Sequence, residues 1–193
     1  LIAFTNNAND SIKAFSKESV KIFVGDGLGT SSLPFLLRNE EDLNDLKIKI
    51  KSGNTFQGFF FKMELDNGID TINLGNFEPI GVSGTYPFYG SFDGSNTEFV
   101  FEINSPTTNY IGLFGYFGIG TIKNLSIKGS IVGYGYTGGV VGYMASGTVQ
   151  NVYNIADITG NSNYTSGIVG YVNSGLVENA FNAGTILGKA AYV

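Results

Sequence analysis

The chain has 193 residues, 42% hydrophobic and 14% charged, with 16 Phe, 11 Tyr and a net charge of −5. That composition suits a substantial core and excludes a disordered segment, while the negative balance gives no basis for binding nucleic acid. With no His and no Cys, neither a His base or metal ligand, nor a thiol nucleophile, zinc cluster or disulfide is available.

Two textures meet near Ile103. Residues 1–102 carry 8 Lys/Arg and 14 Asp/Glu with 11 Gly, whereas residues 103–193 carry 3 and 2 with 17 Gly. The chain opens on Leu1 without a basic, apolar leader, so a processed or trimmed fragment is expected. Residues 1–35 are a linker or a strand completing a cap: Val20 to Val24 is strand-like and Gly25 to Ser32 loop-like.

Residues 36–102 form a capping region and a first coil. Asn39 ahead of Glu40, Glu41 and Asp42 predicts a helix start, with acids against the positive helix end. Leu43, Leu46 and Ile50 share a face, and Gly53 ends the helix. Laid over the first coil, this helix would block an exposed sheet edge. Phe56 to Leu65 reads as a strand. Asp66-Asn67-Gly68-Ile69-Asp70 lacks the spacing of a calcium loop and reads as a polar turn. Asp93, Glu98 and Glu102 are weak candidates for an acid pair, because Asp93-Gly94 is more simply a turn.

Residues 103–193 repeat. Gly112-Leu113-Phe114-Gly115-Tyr116 recurs at Gly139–Tyr143 and Gly167–Tyr171. Behind each copy comes a second block: Gly120–Asn124, Gly147–Asn151 and Gly175–Asn179. Both blocks step by 27 and then 28 residues, and the extra residue falls between Gly160 and Tyr164. Short Val, Ile, Tyr and Thr runs bounded by Gly and Asn, without helical periodicity, predict coils of a parallel β-helix. The fold expected is mainly β: a right-handed parallel β-helix of about four coils with an N-terminal α/β cap. Ile186, Gly188 and Tyr192 echo Ile158, Gly160 and Tyr164, so the chain is expected to stop mid-coil.

The paired blocks resemble the GLUG repeat of large bacterial surface proteins. Upstream, Glu41-Asp42-Leu43, Glu78-Pro79-Ile80-Gly81 and Pro87-Phe88-Tyr89-Gly90-Ser91-Phe92-Asp93-Gly94 resemble the segment that precedes such repeats. Thr97-Glu98-Phe99-Val100 departs from it. The resemblance implies a non-catalytic part of an extracellular or cell-surface protein, an adhesin, stalk or display module. The alternatives are an accessory domain of a large secreted hydrolase, or a self-assembling filament or surface-layer protein. No cofactor, metal or catalytic residue is expected, nor any membrane span. Partners would be a host or neighbouring-cell glycan or protein, or further copies stacked head-to-tail.

Asn124, Asn151 and Asn179 recur once per coil and are expected to form an internal amide ladder, with Asn124 too buried to serve as a glycosylation acceptor. Asn9 and Asn163 head the other two acceptor patterns. Tyr116, Tyr143 and Tyr171 are expected to stack structurally. Tyr110, Tyr134, Tyr136 and Tyr164, in or beside the loops before the glycine blocks, are the candidate binding surface for a sugar or protein partner.

Overall fold

The computed structural model describes residues 27–65 and 69–189. A parallel β-solenoid of about five turns results, one more than the four coils expected. The elements are β1 (Phe35–Leu37), α1 (Glu40–Lys51), β2 (Phe60–Met63), β3 (Thr71–Asn76), β4 (Ser91–Asn104), β5 (Phe114–Phe117), β6 (Thr121–Gly133), β7 (Val141–Met144), β8 (Thr148–Asn154), β9 (Asp157–Gly160), β10 (Val169–Val172), β11 (Leu176–Asn182) and β12 (Ile186–Gly188).

Each turn has three faces. The first face stacks β1, β2 and the opening residues of β4, β6, β8 and β11. Their continuations, with β3, β9 and β12, make the second, and β5, β7 and β10 the third. The register follows the repeat: Phe61 pairs Phe92, then Ile122, Val149 and Val177. This inward column shrinks from aromatic to aliphatic, so ring packing is concentrated at the N-terminal end. There Phe88 contacts Phe61, Phe114 and Phe117 at centroid distances of 5.8, 5.2 and 6.4 Å.

The cap forms as its sequence dictates. Asn39 Oδ1 accepts from Asp42 N at 3.0 Å, Leu43, Leu46 and Ile50 are buried, and Gly53 (φ 95°) follows the last turn. Lys47 lies 4.3 Å over the Phe77 ring and Lys51 Nζ reaches Glu78 Oε2 at 2.6 Å, pinning α1 to the first turn. The strand read at Phe56 to Leu65 is shorter than expected, Phe60–Met63. Phe56 (φ 57°) and Gly58 (φ 81°) make a turn first. Val20 to Val24, Asn9, Tyr192 and most of the Asp66–Asp70 turn lie outside the described residues.

The extra residue of the 28-residue step falls where expected. Gly133 pairs Gly160 and Thr137 pairs Thr165, which leaves one surplus position in the loop 161–164. A second irregularity appears in β4. Asp93 pairs Lys123 but Thr97 pairs Leu125, so two surplus residues fit at a corner where Ser95 and Asn96 both take positive φ. Corners absorb insertions because the continuous strand register ends or shifts there, and only single backbone bonds such as Asn161 N to Gly133 O link the turns across the 161–164 loop.

Candidate functional site

The asparagine ladder exists, but on the outside. Asn151 Nδ2 donates to Asn124 Oδ1 at 3.1 Å and Asn179 Nδ2 to Asn151 Oδ1 at 3.1 Å. The row continues to Asn124 Nδ2 and Asp93 Oδ1 at 3.0 Å. Asn124 is half-buried and Asn151 and Asn179 are exposed, which corrects the expectation of an internal ladder and of an inaccessible Asn124. The cause is backbone conformation: φ is 56°, 52° and 49° at the three residues. A left-handed residue turns the corner and interrupts the in–out alternation, so Val149 and Val152 are both inward and Asn151 between them points out. Asn tolerates this region because its short amide bonds locally.

Asn151→Ala should therefore cost about 1 kcal/mol, from strain at positive φ and two lost amide bonds. Asn151→Gly, which adopts that φ freely, should cost less. Equal melting temperatures for the Asn151→Ala variant and wild type would remove the corner from the account.

An amide pair that periodicity did not single out, Asn154 buried and Asn182 half-buried, lies three residues on. Asn154 Nδ2 donates to Asn182 Oδ1 at 2.6 Å and to Ala156 O at 3.1 Å, while Ala156 N donates to Asn154 Oδ1. The 28-residue step from Asn154 to Asn182 was the available signal. Ile127 occupies the equivalent position one turn earlier and masks it.

The tyrosines form two interlocked columns. Tyr110, Tyr136 and Tyr164 stack with centroids 5.3 and 5.1 Å apart and planes within 9°. Tyr116, Tyr143 and Tyr171 stack at 4.8 and 5.2 Å. Between the columns the rings meet edge to face: Tyr136 stands at 83° to Tyr143 and 81° to Tyr171. Both arrangements are favoured by the ring quadrupole. All six are half-buried, so part of each ring remains at the surface. Positive φ at Tyr110, Tyr136 and Tyr164 (63°, 52° and 65°) turns the corner that sets the first column. Tyr134, grouped with this row by sequence, stands apart from it and is exposed, two residues before the corner. Burial, and then the neighbouring phenols, push Tyr116 and Tyr143 above the usual tyrosine range.

Of the acids read as a possible pair, Asp93 and Glu98 are engaged otherwise and Glu102 is exposed. Partial burial alone would raise the Asp93 carboxyl, but Ser95 N–H, the Asn124 amide and Lys123 outweigh it and hold it below the usual range. Lys123 Nζ lies 3.3 Å from Asp93, and Lys128 Nζ lies 3.8 Å from Glu98. The contribution from Asp93 is present above the ordinary carboxylate pKa and is lost as pH falls through its depressed value.

No family model, curated protein or solved structure matches this chain. No helix among the described residues is long and apolar enough to cross a membrane.

Proposed function

We propose that the chain is a non-catalytic module of a cell-surface or secreted protein, displaying its tyrosine columns to a sugar or protein on another surface. The observation that carries this reading is the pair of columns. Six half-buried rings on three successive turns give a rigid, amphipathic surface with low ordering cost on binding. The likeness of the Gly112–Tyr116 and Gly120–Asn124 blocks to GLUG repeats supports an extracellular setting. The head-to-tail filament reading is weaker, because α1 covers the N-terminal end of the core onto which another copy would stack.

The test is a glycan and surface-protein array paired with a reducing-sugar assay. Binding without turnover is expected. Tyr136→Gly, whose backbone fits the φ of 52°, should weaken binding at least tenfold while Tyr136→Phe, which keeps the stack, retains most of it. Turnover of a glycan by the isolated chain would overturn the reading.

A further inference from the structure

A groove of about 560 Å³ lies on the first face, away from the tyrosine corner. Its floor is made by outward side chains brought into line by the parallel register. One row runs Phe60, Ser91, Thr121, Thr148, and beside it runs Lys62, Asp93, Lys123, Gln150. Ser31, Ser32 and Pro34 form a wall, held in place by the bond from Phe60 N to Gly29 O at 2.9 Å and closed on itself by Leu28 N to Leu33 O at 2.8 Å. Four rungs at parallel-strand spacing give a length of roughly 14 Å.

The donors in this groove are largely uncommitted. Asp93 spends its carboxylate on Ser95, Asn124 and Lys123. Among the described residues Lys62, one rung away, makes no ion pair, and the Thr121 and Thr148 hydroxyls and the Gln150 amide make no side-chain hydrogen bond. Two ammonium groups against one occupied carboxylate leave the floor cationic on a chain of net charge −5. On the rung below, Leu176 pairs Thr148 and Glu178 pairs Gln150, so the donor rows end in an apolar and an acidic residue.

We propose that this groove binds a linear, carboxylate-bearing oligosaccharide. The carboxylate sits at Lys62, ring hydroxyls bond Thr121, Thr148 and Gln150, and an apolar ring face lies on Phe60. An extended peptide fits less well. The floor is a sheet face whose strands β2, β4, β6 and β8 are paired on both sides, so no free edge offers main-chain bonds. The groove is separate from the tyrosine columns, and either assignment stands without the other.

Calorimetry on the whole chain tests it, with a tetramer of 1,4-linked galacturonate, its carboxyl-reduced neutral counterpart and a tetraglutamate peptide of equal charge. The galacturonate tetramer is expected to bind at least tenfold more tightly than either comparator, and more weakly as salt rises. Lys62→Gln should lose about tenfold and Lys62→Arg little. Equal binding of acidic and neutral tetramers, tetraglutamate binding as tight, no binding of any probe, or full binding by Lys62→Gln would each overturn the proposal. The comparison of probes on wild-type protein decides the matter even if a variant fails to fold.

Discussion

One residue inserted between Ser126 and Ile127 abolishes cooperative folding, while one inserted between Asn161 and Ser162 leaves the melting temperature within a few degrees. Ser126 and Ile127 lie in the second-face run of β6, which pairs with β4 on one side and with β8 and β9 on the other. Leu125, Ile127 and Ile131 point inward and are at most 3% exposed. A one-residue slip turns Ile127 and Ile131 to solvent or breaks two ladders at once. Losing two buried aliphatic side chains costs on the order of 3–6 kcal/mol. That is comparable to the whole stability of an ordinary domain. The 161–164 loop already carries a surplus residue relative to the preceding turn, and Asn163 is exposed. Circular dichroism melts of both insertions check this. Equal losses at the two sites would contradict the register.

Phe88→Ala destabilises the protein by about 3–5 kcal/mol, the largest effect expected of a single side-chain truncation here. Phe88 is fully buried and its ring joins Phe61 of the cap-side turn to Phe114 and Phe117 of the next. Its backbone N–H donates to Tyr116 O and its carbonyl accepts from Gly118 N, so the chain is held on both sides and cannot collapse into the void. The cavity term therefore adds to the lost transfer energy. Val169→Ala in the last turn of the third face, where it stacks on aliphatic Val141, should cost less, since fewer atoms are removed. Urea unfolding gives both values, and a smaller loss for Phe88→Ala than for Val169→Ala would remove the aromatic N-terminal core as the anchor of the solenoid.

Much of the architecture was legible because a solenoid writes its geometry into its period. Steps of 27 and 28 place Gly, Val and Asn of one turn over those of the next, and parallel pairing of Thr121 with Thr148 and Leu176 follows directly. The helix at Glu40–Lys51 was equally readable, since Asn39, the acids behind it and Gly53 act through bonds made within a few residues. The first turn was harder to read. Its aromatic run is interrupted by two residues of positive φ, and its register to the repeats is broken by Gly94, Ser95 and Asn96.

The sequence by itself determined the parallel solenoid, the capping helix, the place of the surplus residue and the stacking of Tyr116, Tyr143 and Tyr171. Only the tertiary structure decided which way the repeated residues face. Strict alternation would send Asn151 inward after Gln150, but left-handed φ at the corner turns it out and leaves the buried amide to Asn154, which bonds half-buried Asn182. The same corner geometry selects Tyr136 over Tyr134 for the tyrosine column. The groove beside Lys62 is a tertiary product too: its donors stand about 30 residues apart in the chain and become neighbours only when the turns stack. Period fixes which residues align, whereas the sign of φ at each corner fixes whether they meet the core or the solvent.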